Sequence, residues 1–214
     1  MDWVDYISRT LHILFGITWI GLLYYFNFVQ TEYFKEAEES ARKDAVQKLV
    51  PRALFYFRYA ALFTFLTGLL LWHEILMRFN PGIALGMLMG TLMFLNVWLI
   101  IWPNQQKVIA GAEDAAQAAP KAALASRTNT LLSFPMLMFM VASPHGAALW
   151  GSMAPLGLVD TFLSAPFLIG AVIIVAIELN AIFGKVGPMA SVQGVIHCGL
   201  GLAAVLGLIA VFLA

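Results

Sequence analysis

Six long apolar stretches dominate the pattern along the chain, separated by polar segments or by short turns that contain proline or glycine. Most of them are about as long as the roughly 20 residues that a helix needs to cross the hydrocarbon core of a bilayer. The pattern therefore predicts an all-α integral membrane protein, a bundle of about six transmembrane helices that forms a single domain over residues 1–214. The predicted spans are residues 7–30, 55–77, 82–102, 128–143, 162–183 and 191–213.

Composition agrees with the lipid bilayer as the main surroundings of this chain. Hydrophobic residues make up 61% and charged residues only 11%, whereas a soluble domain is about a quarter charged. The formal net charge is +0, so we expect no nucleic-acid partner. The single cysteine, Cys198, and the absence of CxxC and CxxCH motifs exclude a covalently attached c-type haem and a thiolate zinc site.

Basic residues predict the orientation of the bundle. With six spans, only Arg9 and Arg78 of the 12 lysines and arginines fall on the side of the N-terminus. By the positive-inside rule the opposite side is cytoplasmic. We therefore expect both termini to be periplasmic, residues 31–52 and 104–127 to be cytoplasmic connecting segments, and the chain to lie in the bacterial inner membrane.

Histidines inside the predicted spans are the first candidates for function, because ionisable residues are costly within a membrane. His12 and His73 each lie about five residues from the N-terminal side, on neighbouring antiparallel spans, which places both at a depth of roughly 7–8 Å. Imidazoles at one depth in a helical bundle suit axial ligation of a b-type haem. We predict His12 and His73 as haem-iron ligands. His145 lies in the same layer and could replace either one, and hydrogen-bonded core histidines remain the structural alternative.

Arginines near these histidines fit the same cofactor. Arg9 lies about one turn outside His12, and Arg78 lies just over one turn outside His73. Haem propionates are anionic, and arginine binds carboxylates in a bidentate fashion. We therefore predict that Arg9 and Arg78 bind the propionates of a haem b, with one or two haems per chain.

Three further ionisable residues lie in the other half of the predicted membrane region. His197 would serve a second haem, a quinone or a proton path, or else a structural role. Glu178 and Arg58 fall in the same leaflet, where they could form a structural ion pair or, with His197, a path for protons or substrate.

Three segments resemble a known family. Residues 12–30 (HILFGITWIGLLYYFNFVQ), 102–105 (WPNQ) and 126–136 (SRTNTLLSFPM) resemble the membrane domain of bacterial urate hydroxylase of the PuuD type, and the likeness covers residues 7–145. The resemblance implies oxidation of urate at the membrane, with electrons passed to a fused periplasmic cytochrome c domain. It also makes Arg127, Asn129 and the 102–105 corner candidates for substrate contacts.

Because the chain has no CxxCH motif, we expect a separate c-type cytochrome, or other membrane redox subunits, to accept the electrons. The leading hypothesis is thus a b-type haem oxidoreductase that oxidises urate or a related small molecule, with no catalytic base assigned. The alternative is a non-catalytic subunit that carries haem or anchors a larger respiratory complex. A transporter ranks last, because the paired halves typical of transporters are absent from the sequence.

Overall fold

The computed structural model describes residues 3–145 and 155–213, apart from the side chains of Glu74 and residues 143–145. These residues form helices and no strand, which confirms the predicted all-α class. The described helices are α1 (Trp3–Tyr24), α2 (Thr31–Glu36), α3 (Glu39–Lys48), α4 (Val50–Leu70), α5 (Trp72–Leu76), α6 (Pro81–Leu95), α7 (Trp102–Ala110), α8 (Ala115–His145), α9 (Leu158–Leu163), α10 (Ala165–Phe183) and α11 (Val192–Phe212), with a short 3₁₀ turn at Gly187–Ala190.

Five continuous helices are long and apolar enough to cross a bilayer, which shows a multi-pass membrane bundle. Two of them join shorter elements end to end: Trp3–Glu36 includes α1 and α2, and Pro81–Ala110 includes α6 and α7. The other three are α4, α10 and α11. The predicted second span differs at its end, because α4 stops at Leu70 and residues 72–76 form the separate helix α5. His73 therefore lies on α5, beyond the end of α4.

The predicted fourth span lies within α8, which is not among these five helices. Its 31 residues extend about 46 Å at the rise of an α-helix, so length is sufficient. Its polar side chains lower its apolarity, and Thr128, Asn129, Thr130 and Ser133 are all fully buried. The helix packs against α1, α6, α7, α10 and α11. A helix with a polar face is stable here because neighbouring helices, rather than lipid, surround that face.

Side-chain caps and glycine set several helix ends. The Asn80 side chain accepts a hydrogen bond from the backbone N–H of Ile83 (3.0 Å) at the start of α6. Ser191 likewise accepts from the N–H of Gly194 (2.9 Å) at the start of α11. These are the short polar residues that satisfy free N–H groups at helix starts. Gly111 ends α7 in the left-handed conformation with φ of 63°, which glycine adopts without steric cost.

Two π-helical turns interrupt the two longest spanning helices. The first, Tyr25–Gln30, joins α1 to α2, and the second, Asn96–Ile101, joins α6 to α7. Each carries a buried asparagine, Asn27 in the first and Asn96 in the second. Single π-helical turns are frequent at functional sites, so these two positions direct attention to the adjoining part of α8.

A glycine permits close packing of α11 on α8. A Cβ atom on Gly199 would lie 2.5 Å from Cδ2 of Phe134 and 3.1 Å from the carbonyl oxygen of Leu131. No real Cβ makes contacts that short, so only glycine fits. Small residues at helix contacts are the usual means by which membrane helices approach each other.

Candidate functional site

Buried amide side chains connect three helices at the middle of the bundle. Asn96 Nδ2 donates to Oδ1 of Asn129 (2.9 Å) and to Oε2 of Glu178 (3.0 Å). Asn129 Nδ2 in turn donates to the backbone carbonyl of Met93 (2.9 Å). All three polar side chains are buried. The network therefore fixes the second π-helical turn, α8 and α10 relative to each other.

The same part of α8 is also hydrogen-bonded to the first helix. Asn27 Nδ2 donates to Oγ of Ser126 (2.8 Å), and the hydroxyl groups of Tyr24 and Ser133 lie 2.9 Å apart. Asn27 also donates to the carbonyl of Leu23 (2.9 Å). We use the term polar centre for the buried polar side chains of Asn27, Asn96, Arg127, Asn129 and Glu178 together with the partly buried Ser126.

Arg127 is a cation inside the polar centre without an ion-pair partner among the described residues. It is 5% exposed, and its Nη1 atom has no hydrogen-bond partner. Glu32 acts on it electrostatically, but both carboxylate oxygens of Glu32 lie 2.8 Å from Nζ of Lys35. A buried charge without a partner is expensive, so this arginine differs from an ordinary structural one.

Arg58 does not form the ion pair with Glu178 that the sequence suggested. Its guanidinium carbon lies 3.8 Å from the ring centroid of Trp102, 4.7 Å from that of Tyr59 and 5.0 Å from that of Trp98. Glu178 instead accepts its hydrogen bond from Asn96. The two residues lie in different surroundings because aromatic faces attract the arginine, while the amide network binds the carboxyl group.

Six buried side-chain atoms of the described residues lack a hydrogen-bond partner, and most belong to elements that adjoin the polar centre. Four are N–H donors, one is a hydroxyl and one is an amide oxygen. They are Trp19 Nε1, Arg58 Nε, Trp98 Nε1, Arg127 Nη1, Thr128 Oγ1 and Gln30 Oε1. Buried polar groups are normally paired, so each unpaired group needs an explanation.

His12 lies in the contact between α1 and α4. Its Nδ1 is 2.9 Å from the backbone carbonyl of Thr64 and 3.2 Å from Oγ1 of Thr67. A carbonyl only accepts, so Nδ1 carries the hydrogen and Nε2 keeps its lone pair. A Cβ on Gly68 would lie 3.2 Å from Cε1 of His12. We call His12, Thr64, Thr67 and Gly68 the histidine end.

The structure brings no second histidine into hydrogen-bond contact with His12 among the residues it describes. His73 is exposed on α5 and has no hydrogen-bond partner, and His197 is exposed on α11. His145 is the last residue of α8, but its side chain lies outside the described part of the chain. The described residues also contain no group of three or more His, Cys, Asp or Glu side chains that could hold a metal ion.

The arginines predicted to bind propionates have different surroundings from each other. Arg9 Nη2 is 2.9 Å from Oδ1 of the buried Asp5, one turn earlier on α1, while Arg78 is exposed. Arg9 therefore has a carboxylate partner already, whereas Arg78 forms no ion pair with any side chain that the structure describes.

The polar centre and the histidine end are far apart along the bundle. Asn27 follows His12 by 15 residues on one continuous helix, which corresponds to about 22 Å. The sequence singled out Arg127, Asn129 and Glu178 separately, but it did not connect them with each other or with Asn96. Asn27 and Ser126 lie in the segments that resemble the known family, but the sequence provided no separate reason to assign them a role. The signal that could have identified them is a polar residue inside an apolar stretch.

Comparison with known proteins gives one match. No curated protein and no solved structure matches this chain. The part that does match holds Asn96, Arg127 and Asn129 of the polar centre, whereas His12 and His73 lie outside it. Over residues 81–174 the chain matches the urate oxidase N-terminal family, which is consistent with a membrane domain of the urate hydroxylase type.

Proposed function

We propose that this chain is the membrane part of a redox system that oxidises urate or a related purine and passes the electrons to a separate c-type cytochrome. The observation that supports this proposal most is the coincidence of the family match with the polar centre. The match covers α6 to the middle of α10, and these are the helices that bury Asn96, Arg127 and Asn129. Buried polar side chains in a membrane bundle favour ligand binding over simple packing.

The chemistry of the polar centre suits a planar purine. Urate carries carbonyl oxygens, ring N–H groups and, near neutral pH, one negative charge. Asparagine amides offer both donors and acceptors, and arginine offers a fork of N–H donors for an anionic acceptor. Small-molecule sites typically combine an apolar lining with a few such polar groups.

The proposed reaction requires an electron acceptor. Hydroxylation of urate forms one carbon–oxygen bond from water and releases two protons and two electrons per substrate molecule. The c-type cytochrome is the terminal acceptor, and it takes one electron at a time. A b-type haem, when bound, supplies one-electron transfer between substrate and cytochrome.

The histidine end fits such a haem in one respect. Histidines that bind metals usually donate their other ring N–H to a carbonyl or carboxylate, and His12 donates Nδ1–H to Thr64 (2.9 Å). His12 would therefore present Nε2 to the iron. The sequence assigns the second ligand to His73, or to His145 in its place, and assigns the propionates to Arg9 and Arg78.

The first test is a reduced-minus-oxidised absorption spectrum of the detergent-purified chain, with haem quantified per chain. We expect a b-type alpha band that appears when urate is added anaerobically and does not appear with allantoin. A colourless protein, purified with haem available during expression, would exclude the haem part of the proposal. A haem that urate does not reduce would exclude urate as substrate. Stable co-purification with other subunits and no turnover alone would favour the anchoring-subunit alternative.

A further inference from the structure

We infer that Arg127 is the anchor for the negative charge of a small planar anion bound in the polar centre. This inference rests on the proposed function, because it names the residue of that site which selects an anionic substrate. It depends on the burial of Arg127, on the ion pair that Glu32 already forms, and on the kinds of buried atoms that lack a partner in the described residues.

Burial without a counter-charge is the first argument. Arg127 is 95% buried, has no salt bridge among the described residues, and leaves Nη1 without any partner. A buried charge that lacks a partner is strongly destabilising. A folded chain that keeps this arginine unpaired is best explained by an anion that completes the pair.

Glu32, the carboxylate that acts on Arg127, does not serve as that partner, because it forms an ion pair with Lys35 at 2.8 Å. Arg58 provides a partial contrast. Like Arg127 it keeps an unpaired buried N–H, but three aromatic rings surround its guanidinium group. Among the described residues, Arg127 has neither an ion-pair partner nor an aromatic ring over its guanidinium group.

The unpaired buried atoms of the described residues include more donors than acceptors. Arg127 Nη1 is a donor on α8, and Trp98 Nε1 is a donor on the second π-helical turn, which packs against α8. Gln30 Oε1 is the one amide oxygen among the unpaired atoms. An excess of donors over acceptors favours a ligand that is anionic and rich in oxygen, as urate is.

A lipid phosphate has the same charge as the proposed ligand, but the surroundings of Arg127 favour a small molecule. The residue is almost fully buried and lies between Ser126 and Thr128, on a helix surrounded by others. Lipid headgroups approach arginines at the outer surface of a bundle, and Arg52 is an exposed residue of that kind.

The test is equilibrium binding of radiolabelled urate to the full chain in uncharged detergent, comparing the wild type with Arg127→Gln, Arg127→Lys and Arg52→Gln. Loss of a hydrogen bond to a charged group costs about 1.5–3 kcal/mol, so Arg127→Gln should weaken urate binding by about 10- to 150-fold. Arg127→Lys should weaken it less, because lysine keeps the charge but loses the fork of donors. Arg52→Gln should bind as the wild type does.

Thermal unfolding of the wild type keeps the test decisive if Arg127→Gln fails to fold. Urate should raise the unfolding temperature, whereas neutral hypoxanthine should not, because a ligand stabilises only the state that binds it. Equal urate binding by the wild type and by Arg127→Gln would overturn the inference and leave the proposed function intact.

Other outcomes separate the two proposals. If urate fails to bind but inorganic phosphate stabilises the wild type and not the Arg127 variants, the anion site is supported and the urate proposal fails. If phosphatidylglycerol is the only anion that stabilises the wild type through Arg127, the residue binds lipid and the inference is overturned. It is also overturned if no anion stabilises the wild type.

Discussion

The polar centre and the histidine end both hold unusual polar groups inside a membrane bundle, but they are built in different ways. The histidine end comes from two helices that are consecutive spans, and one imidazole contacts one turn of α4. The polar centre draws on residues from the first helix, the second π-helical turn, α8 and α10. Depth along two helices singled out His12 in the sequence, while only packing of several helices reveals the polar centre. Histidines at one depth are easier to recognise in a sequence, but the unpaired buried charge, that of Arg127, lies in the polar centre.

The largest expected effect is on haem binding, which should depend on the histidine end and not on the polar centre. His12→Ala should abolish haem binding, because it removes the imidazole that is bonded to Thr64 through Nδ1 and would present Nε2 to the iron. The polar centre lies about 22 Å away along the helix, so urate affinity should remain close to that of the wild type. Haem per chain and radiolabelled urate binding measure the two properties on one sample.

The matched control is His197→Ala, which removes an exposed histidine from α11 and should keep its haem. A full haem complement in His12→Ala would contradict the assignment of His12 as a ligand. Loss of urate binding in that variant would show that the histidine end and the polar centre are not independent.

The next effect concerns stability of the polar centre. Asn129→Leu removes the acceptor of Asn96 and the donor to the Met93 carbonyl, and each buried group left unpaired costs about 1–3 kcal/mol. Chemical unfolding in detergent should show this loss together with weaker urate binding. Asn180→Leu is the control, because Asn180 is exposed and water can replace its bonds to Lys185. Equal losses in both variants would contradict the central role of the amide network.

A smaller effect tests the histidine end through its glycine. Gly68→Ala would place a Cβ 3.2 Å from Cε1 and 3.5 Å from Nδ1 of His12, which should shift the ring away from Thr64. Gly21→Ala on α1 meets nothing within 4 Å and should gain about 0.5–1 kcal/mol from lower backbone entropy in the unfolded chain. The difference in unfolding free energy between the variants, and a displaced haem band in Gly68→Ala alone, measure the contact. If the two variants have the same unfolding free energy and the same haem band, the position of the His12 ring does not depend on the space beside Gly68.

The smallest effect lies outside both regions, in the connection between α7 and α8. A hydrogen bond from Lys107 holds the pKa of Asp114 below its ordinary value. Because the folded pKa is lowered, the contribution to stability is present above the ordinary pKa and is lost as pH falls through the folded value. Lys107→Met should raise the pKa of Asp114 and remove that contribution. Both groups are exposed, so the change in stability should be slight.

Titration of Asp114 followed by carbon NMR checks this prediction in the wild type and in Lys107→Met. Urate should bind equally well to both proteins, which would show that surface charge near α8 does not affect ligand binding in the polar centre. An unchanged Asp114 pKa in the variant would contradict the assigned cause.

The sequence by itself determined the class of the protein and the positions of most spans. A bilayer requires long apolar helices, so five of the six predicted spans appear as helices that are apolar enough to cross it. Proline, asparagine and serine at the starts of α6 and α11 marked helix ends by their local chemistry. Two of the three family-like segments, 102–105 and 126–136, lie within the matched residues 81–174, and the second of these holds Arg127 and Asn129, whereas 12–30 lies outside the match.

The tertiary structure alone decided which polar residues meet. Asn96 lies 33 residues from Asn129 and 82 residues from Glu178 in the sequence, and no periodicity of a single helix predicts such contacts. The rotation of each helix about its axis, set by close contacts such as that of Gly199 with Phe134, turns these side chains toward one another. The same packing gives Arg58 its aromatic rings and leaves Arg127 without a partner, because the side chains available to each depend on how neighbouring helices fit together.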